Sequence, residues 1–133
     1  MSQLINLVSA LLDIFEGCKL IAYQDTGGVW TIGYGHTGPE VKAGYTITKD
    51  IAIQLMTKNI MPLVNQVSNN VGWSVAKQAG YVDFGYNCGS GALNKVLQGL
   101  DSIDNPRHCT DKLGNVLSYL QKRRNLEAQL IQL

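Results

Sequence analysis

Glu16 is one of three glutamates in the 133-residue chain, with Glu40 and Glu127, and it closes an apolar stretch. A carboxyl group there faces the negative end of a helix dipole and apolar neighbours. Both disfavour its charged form and raise its pKa, which suits a general acid near neutral pH. A surface glutamate at a fraying helix end is the plainer reading of the same position. Asp25 follows nine residues later at the turn Thr26-Gly27-Gly28, where an aspartate commonly does no more than bond its own backbone. Thr31 lies on the returning segment. A period of two puts Thr31, Gly33 and Gly35 on one face and Trp30, Ile32 and Tyr34 on the other. The first face carries little bulk, so it either admits a bulky polar ligand or serves twist and turns. Two carboxylates across a cleft are the minimum equipment for hydrolysing a glycoside.

The elements that would hold these residues are legible from periodicity. Leu4, Leu7, Val8, Leu11, Leu12 and Phe15 recur at helical spacing, with Ser2 as a candidate N-cap and Gly17 placed to end the helix. Leu20 to Gly35 reads as two strands about the Gly-rich turn, rich in β-branched and aromatic residues. His36 to Thr46 reads as a loop with room for a third short strand. Thr48 is placed to cap a long helix whose stripe runs through Ile51, Leu55, Ile60, Leu63, Val64 and Val67, with a kink or break expected at Pro62. A loop at Asn69, Asn70 and Gly72 precedes a helix from Val75 to Tyr86, a stop near Cys88–Gly91 and a short helix from Ala92 to Leu100. Asp101 to Thr110 reads as a loop, and Leu113 onward as a last helix. The fold class expected is α+β, mostly α, with one small N-terminal antiparallel sheet.

Composition bounds the function. Hydrophobic residues make up 45% and charged residues 16%, which excludes intrinsic disorder. A net charge of +1 provides no global field for nucleic acid or an anionic membrane. The apolar run from Leu4 to Phe15 is interrupted by Asn6, Ser9 and Asp13, is too short for a membrane helix, and lacks a basic leader and a cleavage site. No nucleic acid partner and no stable membrane insertion are expected. Cys18, Cys88 and Cys109 are an odd count without zinc-ligand spacing, which favours a reducing compartment and leaves one disulfide open.

The segment from Glu16 to Thr37, EGCKLIAYQDTGGVWTIGYGHT, closely resembles the phage lysozyme or endolysin family, glycoside hydrolase family 24. That family's pattern is E-G, an aliphatic run with Tyr, then D-x-x-G-x-x-T-I-G-x-G-H, and each fixed position matches. Ile47–Asp50 with Ala52 resembles the start of its long connecting helix. Phe84–Ala92 resembles its F-x-F-N-x-G segment, and Lys122–Glu127 its C-terminal N-R-R-x-x-E helix, so the resemblance spans nearly the whole chain. It implies a single two-lobed lysozyme-like domain, with an N-terminal lobe near 13–60 and a helical lobe near 61–133 plus the N-terminal helix. It also implies a muramidase that hydrolyses the β-1,4 bond from N-acetylmuramic acid to N-acetylglucosamine in bacterial peptidoglycan, without metal or organic cofactor. Glu16 would be the general acid, Asp25 the second carboxylate and Thr31 a holder of the attacking water, with Gly33, Tyr34, Gly35 and His36 at the substrate. An inverting outcome, a monomer, and accumulation in the host cytoplasm until the membrane is permeabilised are the accompanying expectations.

Departures from the pattern define the open points. The family's W-V-x-x-x-G-G segment has no counterpart between Cys109 and Arg123, so one wall of the cleft is expected to be reduced. Asp83 stands where the family has a small residue, and Tyr86 on the same helix does not account for it. Asn59 stands where some relatives have an acid facing the histidine at His36, so that pair is expected to be a hydrogen bond. Arg123 and Arg124 read either as a solvated basic patch or as a buried partner that orients Glu16, an arrangement that would oppose the pKa elevation. A lysozyme-like protein that holds peptidoglycan with weak or no catalysis is the alternative from another class. A wall-cutting part of a phage tail or a toxin is a third.

Overall fold

The computed structural model describes residues 2–133, with side chains from residue 3 onward. The chain divides into two compact units. One is Ser9–Met61; the other is Pro62–Leu133 together with the first turns of the N-terminal helix, up to Val8.

The Ser9–Met61 unit takes in the second half of α1 (Ser2–Phe15), the strands β1 (Lys19–Gln24), β2 (Trp30–Gly33) and β3 (His36–Thr37), and the first two-thirds of α2 (Lys49–Val67). Helix α1 buries the stripe Leu4, Val8, Leu11 and Leu12, the spacing of one helical face. Ser2 is its first helical residue, and the cap expected of that side chain lies outside the described residues. The helix stops as expected. The Glu16 and Gly17 amides both donate to the Leu12 carbonyl, at 2.8 and 3.0 Å, and Gly17 has φ +69°, a conformation that disfavours any residue with a Cβ.

The sheet is antiparallel in the order β1-β2-β3. Its register pairs Tyr23 with Thr31, Gln24 with Trp30, and Thr31 in turn with Thr37. The outer edge of β1 is covered, since Ala22 donates to the Tyr45 carbonyl and Ile47 to the Leu20 carbonyl. Helix α2 opens with the Thr48 hydroxyl accepting from the Ile51 amide at 3.2 Å. It runs through Pro62 without ending, contrary to the expected break. Pro62 lies on the exposed side, and burial of Met56, Ile60, Leu63, Val64 and Val67 holds the helix on both sides of it.

The second unit holds α3 (Val75–Cys88), α4 (Ser90–Leu97), a 3₁₀ turn at Pro106–Cys109, and α5 (Ser118–Ile131). Ser74 caps α3 by accepting from the Lys77 amide. Helices α3 and α5 pack so closely that a Cβ on Gly80 would come within 2.9 Å of the Glu127 carbonyl oxygen. Several boundaries differ from expectation: α3 runs on to Cys88 rather than Tyr86, and α4 begins at Ser90 rather than Ala92. Helix α4 ends at Leu97 rather than Leu100. Helix α5 starts at Ser118 rather than Leu113, because Asp111 Oδ1 accepts from the Leu113 and Asn115 amides and closes a turn there. Leu113 is consequently exposed.

Candidate active site

Glu16 sits directly after α1, half-buried. The turn joining β2 to β3 lies against it. An ideal Cβ on Gly35 would stand 3.1 Å from Glu16 Oε2, and Gly35 has φ +79°. Two independent constraints therefore call for glycine at this position: the backbone conformation and the carboxylate beside it.

Asp25 is exposed at the hairpin turn. Its Oδ1 accepts from the Gly27 amide at 2.8 Å and the Val29 amide at 2.9 Å, so it shapes the turn as an Asx residue does. Its Oδ2 takes no hydrogen bond among the described residues. Thr31 is 4% exposed. Its hydroxyl donates to the Val29 carbonyl at 2.9 Å, which leaves it only acceptor capacity for anything else.

Tyr23 joins these groups, and motif reasoning alone placed it only in a strand. It pairs with Thr31 across the sheet, and Lys19 Nζ lies 5.4 Å from its ring centre. Burial first, and then the charges of Glu16 and Asp25, push the Tyr23 phenol above its ordinary pKa. Both carboxylates thus act on one side chain beside Thr31. The signal that could have found it is strand parity: Tyr23 shares a face with Asp25 two residues on.

The four residues Gly33 to His36 separate. Gly33 is buried, with Ala52 and Ile47 side-chain atoms 3.6 Å from where its Cβ would be. Tyr34 is 1% exposed, and its phenol oxygen accepts from Lys49 Nζ at 2.6 Å. The open Thr-Gly face expected from period two is therefore not what forms, because the turn folds Gly33 and Tyr34 inward. His36 has both ring nitrogens engaged, Nδ1 with the Asn59 amide at 2.9 Å and Nε2 with Glu40 Oε1 at 2.8 Å. The Asn59 hydrogen bond is the one expected. Glu40 was not anticipated, and its carboxyl is held below the usual range, chiefly by the bond from His36.

Family models and solved structures bear on the same residues. The model described as Phage lysozyme matches residues 13–127. The chain belongs to the phage lysozyme family. Among its relatives in this family, the SAR-endolysin of Enterobacteria phage PA-2 is 30% identical over 128 residues, covering 89% of this chain and 78% of that protein. The muramidase domain of SpmX from Asticaccaulis excentricus superposes with a TM-score of 0.76 at 29% identity, covering 96% of this chain and 95% of that one. An endolysin from Escherichia coli O157:H7 phage FAHEc1 gives 0.76 at 25% identity, covering 94% and 90%.

In this phage lysozyme, Arg123 and Arg124 are 2% and 3% exposed, so the solvated basic patch is not what forms. Arg123 donates from Nε and Nη2 to the two Asp83 oxygens, each at 2.9 Å. Arg124 Nη2 donates to Glu127 Oε2 at 3.0 Å, and its Nε lies 2.8 Å from Oε1. This explains Asp83, which is fully buried and fills the small-residue position with a guanidinium partner. Burial, and then the neighbouring Asp83 carboxylate, push the Glu127 carboxyl upward, with both arginines opposing. The polar run Lys122–Asn125 suggested solvent because α5 buries charges where most helices bury hydrocarbon. Among the described residues, no helix is long and apolar enough to cross a membrane.

Proposed function

We propose that this phage lysozyme cuts the β-1,4 bond between N-acetylmuramic acid and N-acetylglucosamine in bacterial peptidoglycan by acid-assisted attack of water, with inversion. The observation that carries the reading is Glu16 at the end of α1 beside Gly35, with Asp25 at the turn and Thr31, paired with Tyr23, on the returning strand of the hairpin that follows. Glu16 is the general acid, delivering its proton to the departing glycosidic oxygen. Asp25 is the general base through Oδ2, the oxygen its turn leaves open.

Thr31 completes the set as an acceptor. Its own proton is committed to Val29, so it accepts a hydrogen bond from one O–H of the water, the proton that stays on the new hydroxyl, while Asp25 accepts the other O–H and removes that proton. The water's lone pair is then the group left facing the anomeric carbon. As the new C–O bond forms, the old one breaks, Glu16 becomes ionised and Asp25 protonated, and solvent resets both. A carboxylate that attacked the sugar itself would need no such water-holder in its first step. Inverting glycosidases hold their carboxyl groups about 6.5–9.5 Å apart to fit the water, and retaining ones about 5–5.5 Å. The glycan passes over Gly35, which stands beside the Glu16 carboxylate. The chain acts as a monomer that accumulates in the host cytoplasm and reaches the wall once the membrane is permeabilised.

Proton NMR of a short glycan digest, read before mutarotation, tests the mechanism. The expected first product carries the α-anomer at the new reducing end. A β-anomer, or a glycosyl adduct trapped on Asp25, overturns the roles given to Asp25 and Thr31. A non-reducing anhydro end would mean transglycosylation and overturns hydrolysis.

A further inference from the structure

Tyr34, Lys49 and Asp13 lie on three different elements and meet at one point. The Tyr34 ring is buried within the Ser9–Met61 unit. Its phenol oxygen accepts from Lys49 Nζ at 2.6 Å, and burial, with the Asp13 carboxylate adding to it against the pull of Lys49, keeps the phenol protonated above its ordinary pKa. The ammonium group lies 3.7 Å from Asp13 Oδ1. A short bond from a charged donor is among the stronger ones available. An apolar residue at position 34 would fill the same core space without needing partners for a buried hydroxyl.

Helix electrostatics do not explain Lys49 either. It is the first residue of α2, where the helix dipole disfavours a cation, and its side chain is half-exposed. What the group does accomplish is mechanical. Asp13 belongs to the last turn of α1, three residues before Glu16. Gly33, on the other side of Tyr34, is seated against Ala52 and Ile47. With Gly33 and Tyr34 both fixed, Gly35 has one place to go, against Glu16 Oε2.

We infer that Tyr34, Lys49 and Asp13 form a clamp that positions the Glu16 carboxyl group by holding the β2–β3 turn against it. The three are positioning residues, and the inference rests on Glu16 being the general acid. The clamp decides which direction the acid's oxygen faces. Its loss therefore slows the chemical step and leaves sugar binding alone, since a displacement of about 1 Å in a reacting group can cost up to ~10²-fold.

The test uses the full chain carrying Tyr34→Phe, Lys49→Met, both together, or Lys49→Arg, with kcat and KM measured on solubilised uncrosslinked glycan strands. Each single loss variant is expected to lower kcat by about 5–20-fold with KM within about twofold. The double variant falls no further than the worse single one, because the groups act as a unit, and Lys49→Arg recovers most of the rate. Lys49 is half-exposed, so Lys49→Met keeps its melting midpoint within about 3 °C and remains informative if Tyr34→Phe is destabilised. Wild-type kcat in folded Lys49→Met, a loss lying in KM, or losses that multiply in the double variant each overturn the clamp. Glu16→Gln is run alongside. If it is inactive while Lys49→Met is fully active, the clamp alone fails; if it is active, the acid assignment fails and the clamp with it.

Discussion

Asp25 commits one oxygen to its own turn, where Oδ1 accepts from the Gly27 and Val29 amides, and Glu16 stands beside Gly35 at the end of α1. Glu16→Gln keeps the side chain's shape beside Gly35 and removes its transferable proton. Its rate of clearing chloroform-treated Gram-negative cells is expected to fall by about 10²–10⁴-fold, with an unchanged circular dichroism spectrum; retention of a tenth of the rate would remove Glu16 from the mechanism. These residues were readable because the motif is local. Glu16, Asp25 and Thr31 lie on one helix end and the hairpin that follows, and short-range spacing carries most of their geometry. The His36–Asn59 bond was also readable, from a position where an acid is replaced by an amide. Glu40 was missed because it reaches His36 only when the loop after β3 curls back. Tyr23 was missed because its importance arises from cross-strand register and from two charges outside its own strand.

Two elements depend on charges that periodicity could not assign. The loop after α4 is built around Asp101, whose carboxylate accepts from Arg107, from the Ser102 amide at 2.8 Å, from Asn105 at 3.0 Å and from His108 at 2.9 Å. Those bonds, Arg107 first, hold its carboxyl well below the usual range. A depressed carboxyl stabilises the fold above its unfolded pKa of about 3.9 and loses that contribution as pH falls through the folded value. Asp101→Asn is accordingly expected to melt lower than wild type at pH 7, with the gap narrowing below about pH 4; a gap independent of pH would refute the linkage. Between α3 and α5, Asp83→Asn removes the charge that two Arg123 nitrogens bond, with Glu127 Oε2 at 3.8 Å from Nε as the neighbouring carboxylate. A loss of about 3–5 kcal/mol is expected from such a break, seen as a melting point lower by about 10–20 °C. Asp83→Leu with Arg123→Met should recover most of it. Helix boundaries failed where a side chain competed with the backbone pattern. Leu113 fitted the stripe of α5, yet Asp111 closes a turn around it. Pro62 signalled a break, yet apolar burial on both sides carried α2 through.

At the scale of the molecule, the three cysteines are free thiols, which agrees with an odd count and with a fold that packs without crosslinks. Dithiothreitol is expected to leave both the melting temperature and the lytic rate where they were; a drop of several degrees would mean a disulfide in the functional form. The mostly helical fold with one small sheet was legible from periodicity and motif together. The buried charge cluster was not, because its partners stand 40 residues apart. That separation has a consequence for synthesis. Asp83 leaves the ribosome well before Arg123 does, by roughly 2–8 s at about 5–20 residues per second. Until then water is the only partner available to its carboxylate, and α3 cannot bury the face that carries it. Native packing of this unit therefore waits for the C-terminal helix, and a nascent chain lacking that helix is the form most open to proteases and chaperones.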